Sequence, residues 1–288
     1  HMGAWAGAVC TASRTMIMTG RTVWRIPGAR GPGLTRNRAF RQKAAGNSMP
    51  AIFNRAGYAT FRTCKQGNSF REANALFAER HDMTRRGATA ETGSRWHGDR
   101  VIDFLARRQA NKTTKPFLVY MGFSHPHDPR NGPEDLVASY GANNKGAGTT
   151  PNPKAPPLPV NYLPAHPFHH GHPKLRDEER VQGVLKKRDP ATVRNETGRE
   201  YACIENIDRQ VGRVIKKLEE MGEWENTYVV YTSDHGIAVG KHGLMGKQNL
   251  YEHTWRVPFV VAGPGIKAGT RASGYIYLLD VLRTFCDL

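Results

Sequence analysis

Three short, unbroken apolar runs constrain this chain most: PFLVYMGF at 116–123, YVVYTS at 228–233 and PFVVA at 258–262. Each has the length of a strand, and each is apolar or β-branched almost throughout. Such a strand has no face to offer water, so it belongs in a sheet covered on both sides. Helical patterns separate the runs. In the clearest, Arg199 to Met221, residues Ile204, Ile207, Val211, Val214, Ile215 and Leu218 fall at helical spacing with charges opposite. Gly222 closes it as a C-cap. A second helix is expected over Trp96 to Arg108 and a third after Cys10. Strands alternating with helices give an α/β fold, a mostly parallel sheet sandwiched by helices.

The 288 residues suffice for one large α/β domain or two small ones. One catalytic domain over 1–288 is expected, interrupted at 141–173. There, GANNKGAGTTPNPKAPPLP and then LPAHPFHHGHP are too rich in Gly, Asn and Pro for a core element and read as a long surface excursion. No run of 18 apolar residues occurs, so no membrane span is expected. The opening HMGAWAGAVC lacks the basic region of a signal peptide.

Lys and Arg number 42 against 25 Asp and Glu, a net charge of +17 with His neutral. A field of that sign attracts polyanions. The basic residues are dispersed, and no zinc-finger spacing or RNP-like strand accompanies them, so nucleic acid is disfavoured as a partner. A solvated basic surface and a substrate funnel both fit. The four cysteines, Cys10, Cys64, Cys203 and Cys286, are far apart with no CxxC pair, which argues against a disulfide framework.

Two apolar runs end in polar groups: Ser124-His125-Pro126-His127 follows the first and Asp234-His235-Gly236 the second. His242 to Lys247 comes soon after. In open parallel sheets the site lies beyond the carboxyl ends of the strands. Histidines and an aspartate there can bind a metal, transfer a proton or hold an anion; each alone also reads as an ordinary turn residue. His166, His169, His170 and His172 look like a metal cluster, but irregular spacing favours an incidental, solvated group. Cys10 at a helix start is either an activated nucleophile or a buried structural cysteine.

The segment Cys10–Arg21, CTASRTMIMTGR, resembles the signature of the formylglycine-dependent sulfatases. There, Cys-x-Pro-x-Arg precedes Thr-Gly-Arg; here Ala12 replaces the proline. TSDHGIAVGKHGLMGKQNLYEHTWRVPFVVAGPGI is similar to a second family segment, and KPFLVYMGFSHPHDP to a strand ending in a substrate histidine. GYATFRTCKQGN stands where the family has Gly-Lys-x-His. The resemblance implies an alkaline-phosphatase-like fold, here incomplete. It implies a sulfuric-ester hydrolase acting on a sulfated carbohydrate, exported from the cell. A maturation enzyme would convert Cys10 to formylglycine, and a divalent cation would assist. That ion would be calcium, with magnesium or manganese as alternatives because His235 suits calcium less than an asparagine.

Residue by residue, the resemblance makes Cys10, Asp234 and His235 metal-site groups. Arg14 and Lys65 would contact the diol formed on Cys10. Lys247 would contact sulfate and the leaving oxygen, and His127 would protonate the leaving group. His125 and His242 would bind substrate. Gly67 and Asn68 stand where a family histidine is missing, so that role is either dropped or filled by Asn68. The family's first strand ends in an Asp-Asp pair, but nine residues precede Cys10 and the first aspartate is Asp82. The chain therefore reads as a fragment of a longer protein or a degenerate chain, with weak metal binding and little or no turnover expected. Two other readings are a phosphonate or phosphodiester hydrolase on the same nucleophile, and a non-catalytic polyanion-binding module.

Overall fold

The computed structural model describes residues 9–22, 25, 38–65, 70–83, 89–146, 152–167 and 186–288. The chain opens with helices α1 (Cys10–Thr19), α2 (Arg38–Ala45) and α3 (Met49–Arg55), then strand β1 (Ala59–Lys65), α4 (Arg71–Asn74) and β2 (Glu79–Met83). A π-helical turn, Glu91–Arg95, leads into α5 (Trp96–Ala110) and β3 (Phe117–Gly122). After α6 (Glu134–Ser139) comes the long α7 (Pro190–Glu220), then β4 (Val229–Thr232), α8 (Glu252–Trp255), β5 (Phe259–Ala262) and α9 (Asp280–Asp287).

β1 pairs in parallel with both β2 and β3, in the order β2-β1-β3. Strand β3 is covered on both faces, as its unbroken apolar sequence requires. Leu118 and Tyr120 pack on Ile17, Met18, Met49, Phe77 and Leu282. Phe117, Val119 and Met121 pack on Phe61, Val101, Phe104, Leu105 and Leu218 of β1, α5 and α7. Each such side chain taken from water contributes about 1.5–3 kcal/mol. The third apolar run departs from expectation: β5 runs antiparallel to β4, with Tyr231 opposite Val260. A parallel return needs a crossover, usually a helix. The link between β4 and β5 carries only the one-turn α8 and is otherwise the loop that builds the site. Among the described residues no strand pairing joins the two sheets.

Helix α7 begins at Pro190, earlier than its apolar spacing suggests. Asp189 caps it by accepting from the Thr192 N–H at 3.1 Å, and proline suits the first helical position. Its first turns bury polar groups alongside Val193. Arg130 donates to Asp128 (2.7 Å) and Glu196 (3.0 Å), Glu196 pairs with Arg199, and all four residues are buried. Buried charges persist only when paired in this way. The network fastens the segment after β3 to α7.

The described parts of the 141–173 segment, residues 141–146 and 152–167, are less of an excursion than their composition suggests. Arg194 of α7 donates to the carbonyls of Ala155 (2.7 Å) and Pro156 (2.9 Å), and Ala155 is buried. Tyr162 bridges to Lys241, and the His242 N–H donates to Asn161 O. Backbone and arginine hydrogen bonds hold these parts, together with the packing of Leu158 and Tyr162 on Val193 and Met245. No described helix is long and apolar enough to cross a membrane.

Candidate functional site

Cys10 is the first residue of α1 and is buried. At that position the unpaired N–H groups of the first turn favour a negative charge. Arg14, one turn on, lies on the same face. Its Nε donates to Asp234 Oδ2 at 2.8 Å and its Nη1 to Cys64 Sγ at 2.9 Å. Asp234 follows β4 and Cys64 lies near the end of β1, so one guanidinium gathers three elements.

The loop after β4 delivers the remaining groups. His235 Nε2 is 3.2 Å from Cys10 Sγ, while Nδ1 is 3.0 Å from Gly236 O. A carbonyl only accepts, so Nδ1 carries a proton; Nε2 accepts from the thiol when the ring is neutral and donates to the thiolate when the ring is protonated. The chain then doubles back: the N–H of Ala238 donates to Gly246 O and that of Gly240 to Leu244 O. This return places Lys247 Nζ 3.5 Å from Cys10 Sγ, with the lysine only 3% exposed. At the tip Gly243 has φ +71°, and a methyl there would overlap the Ala165 and His166 backbone.

The electrostatics follow from the contacts. Burial and the Asp234 charge push the Cys10 thiol up, but the His235 hydrogen bond and the His235 and Lys247 charges outweigh them and leave it at about 7. Burial opposes ionisation of Asp234 as well, yet His235, Arg14 and Lys247 hold its carboxyl well below the usual range. Burial works against His235, while Asp234 and Cys10 raise it. Lys65 is lowered by burial, with Arg14 and Lys247 adding to the fall and Cys10 opposing it. His127 is driven down to about 3 by burial and by Lys247 and Lys65.

Cys10, Arg14, Asp234, His235 and Lys247 therefore meet at hydrogen-bond distance, and Lys65 and His127 lie within their electrostatic reach. His125 is placed differently. It is 4% exposed, its Nδ1 is 3.3 Å from Ser94 Oγ, and a methyl on Gly93 would overlap its ring. Its surroundings are those of a packed side chain. His242 stacks on Tyr251 (4.0 Å, 11°) and is 2.9 Å from Asn161 Nδ2, at the far turn of the 236–247 loop. His166 also meets Tyr251, at 3.2 Å from its hydroxyl. Asn68, His169, His170 and His172 lie outside the described residues.

Sequence reasoning missed the layer beneath. His97 of α5 is fully buried, with Nδ1 2.8 Å from Thr63 Oγ1 and Nε2 3.2 Å from Ser124 Oγ. The Gly93 carbonyl, presented by the π-helical turn, accepts from the N–H of both Ser124 and His125. Residues so far apart in the chain give no local signal of meeting.

The sequence matches the sulfatase family over residues 3–288. The chain belongs to the sulfatase family. An extracellular sulfatase SULF-1 homolog of Drosophila melanogaster is 31% identical over 191 residues, 65% of this chain and 15% of that protein. An N-acetylglucosamine-6-O-sulfatase of Bacteroides thetaiotaomicron is 40% identical over 91 residues, 31% of this chain and 16% of its own length. A solved 2-O GAG sulfatase superposes with TM-score 0.67 at 18% identity, over 97% of this sulfatase chain and 60% of its own. That likeness bears out the α/β, alkaline-phosphatase-like fold, of which this chain holds part. The chain spans well under two thirds of these curated relatives.

A metal of the calcium kind is the family expectation. Among the described residues, one group of side chains could hold an ion: Cys10, Asp234 and His235, whose donor atoms lie within 4.8 Å of one another. Calcium takes six to eight oxygen ligands. This group offers one carboxylate, one oxygen of which is already held by Arg14. The described donors do not fit calcium.

Proposed function

We propose that this chain carries the nucleophile face of a sulfuric-ester hydrolase for sulfated carbohydrates, and that Cys10 is the residue a maturation enzyme converts to formylglycine. The observation that carries the reading is the meeting of Cys10, Arg14, Asp234, His235 and Lys247 around a helix N-terminus. Hydrated formylglycine supplies a diol hydroxyl as nucleophile and expels sulfate by re-forming the aldehyde, dividing one hard displacement into two easier steps. An oxygen on the Cys10 side chain lies beside His235 Nε2, which is oriented to accept its proton. Lys247, with Lys65, offsets the charge of the incoming sulfate.

His127 has a conditional role in this scheme. Its Nδ1 hydrogen-bonds the Asp128 carbonyl at 2.9 Å, so the neutral ring has no proton on Nε2. Burial is the first cause of its low pKa and the two lysines the next; a bound sulfate ester offsets the lysine charges and so moves the ring towards protonation. The leaving oxygen then finds a proton donor only when substrate is in place. Export fits the extracellular relative, and the excess of positive charge fits a polyanionic glycan.

Mass spectrometry of the natively expressed protein, over the tryptic region ending at Arg14, shows formylglycine at Cys10 if the reading holds. Parallel rates on an aryl sulfate and an aryl phosphodiester, using a version extended upstream by the native segment, then favour the sulfate. Cys10→Ala abolishes those rates. Unmodified Cys10 in natively expressed protein, faster phosphodiester cleavage, or turnover that survives Cys10→Ala overturns the assignment.

A further inference from the structure

His97 takes no part in the chemistry assigned above, yet it is fully buried and polar. It lies in the first turn of α5, directly after the π-helical turn. Trp96 stands edge-on to its ring at 5.1 Å and Phe123 at 5.8 Å. The next residue, Gly98, lets α5 press on α7: a methyl there would lie 2.9 Å from Gln210 Oε1. The imidazole is thus held on a rigid element. Burial, then the charges of Arg14, His125 and Arg62, drive it down to about 3, so it is neutral. A neutral ring donates through one nitrogen and accepts through the other, and a hydroxyl can meet either.

Its two hydrogen bonds lead towards two groups of the site. Thr63 Oγ1, 2.8 Å from Nδ1, belongs to β1 two residues before Lys65. Side chains two apart on a strand share a face. Ser124 Oγ, 3.2 Å from Nε2, opens the turn after β3, and Ser124 O accepts from the His127 N–H at 3.2 Å. The β1–β3 pairing ends at Cys64 and Gly122, so His97 joins β1 to chain beyond the last paired residue of β3. Lys65 and His127 are close enough for the lysine charge to act on the ring. Their spacing therefore governs both the charge offered to sulfate and the readiness of His127 to give a proton.

We propose that His97 is a positioning residue: it fixes the spacing of Lys65 and His127 by holding Thr63 and Ser124 from one ring. This role rests on the hydrolase reading given above.

The test separates the two hydrogen bonds. An asparagine amide reaches the place of Nδ1 and a glutamine amide that of Nε2. His97→Asn therefore keeps Thr63 and drops Ser124, and His97→Gln does the reverse. In matured protein extended upstream by the native segment, His97→Asn is expected to lower kcat/KM about tenfold for phenyl sulfate, whose leaving oxygen needs a proton, and little for 4-nitrophenyl sulfate, whose leaving oxygen does not. Ser124→Ala copies that pattern without touching α5. His97→Gln instead raises KM about tenfold for both esters. Each variant is compared where the circular dichroism spectrum of the parent is kept. A merely structural histidine would lower both esters alike in all three variants. In the unconverted chain, the ring proton shifts of His127 at pH 5.5 report the same link without turnover: neutral in the parent and in His97→Gln, moved towards the protonated form in His97→Asn. The proposal falls if His97→Asn and Ser124→Ala keep the parental ratio of the two esters, if His97→Gln leaves KM unchanged, or if the His127 shifts do not move in His97→Asn. An inactive parent overturns the hydrolase reading and leaves the ring shifts to decide the linkage, so the two failures are distinct.

Discussion

At the scale of single residues, Cys10 carries the sharpest expectation. Unconverted, it is buried, yet beside His235 and Lys247 it titrates at about 7 where an ordinary thiol lies near 9.0. The sign is that of a depressed acid. The thiolate adds stability at and above pH 9, and that contribution is lost as pH falls through 7. Alkylation by iodoacetamide, followed by peptide mass, is expected to reach half its limiting rate near pH 7, and Lys247→Ala moves the midpoint upward. A midpoint near 9 in the parent protein refutes the ion-pair description. Cys10 and Arg14 were legible in the sequence because they sit four apart in one segment; Asp234, His235 and Lys247 were legible for the same reason. That the two segments meet was implied only by the family resemblance. His97 was not legible, because its partners Thr63 and Ser124 come from two other elements.

Among the elements, the strands that escaped the sequence reading are β1 and β2. Their residues, ATFRTCK and ERHDM, mix charges and hydroxyls into what an apolar pattern would reveal. The structure shows why such residues are tolerated: Arg62 is paired with Asp82 on the neighbouring strand, and Thr63 bonds His97. The strands at 117–122, 229–232 and 259–262 were legible, but not the antiparallel turn of the last. The π-helical turn holds the segment after β3 through the Gly93 carbonyl and the Ser94 hydroxyl. Gly93→Ala places a methyl on the His125 ring, so the ring and the His127 segment must move. In an extended, matured protein, we expect kcat to fall at least tenfold while the circular dichroism spectrum is kept. An unchanged kcat would detach that turn from the site.

Across the whole molecule, acid is the weak direction. Burial is the first cause holding His97 and His127 near 3 and His253 near 4, against 6.5 for a free imidazole. All three are neutral when folded and take up protons on unfolding. Their contribution is complete above 6.5 and is lost as pH falls towards 4 and 3. Urea midpoints measured at pH 7, 5.5 and 4.5 are expected to fall in that order; a flat series contradicts the buried, neutral assignment. The fold class was legible at this scale, since covered strands and amphipathic helices admit few architectures. The division into two sheets was not, because pairing partners are set by connections rather than composition.

That division bears on the colloid as well as the molecule. Strands β3 and β4 each show an edge that pairs with no other described strand, and unpaired edges are templates on which further chains can add. What keeps such edges apart in dilute buffer is the mutual repulsion of molecules carrying +17. Dissolved salt shortens the reach of that repulsion to about 10 Å at 0.1 M. For this protein the usual remedy of raising ionic strength to keep a basic protein in solution works against itself.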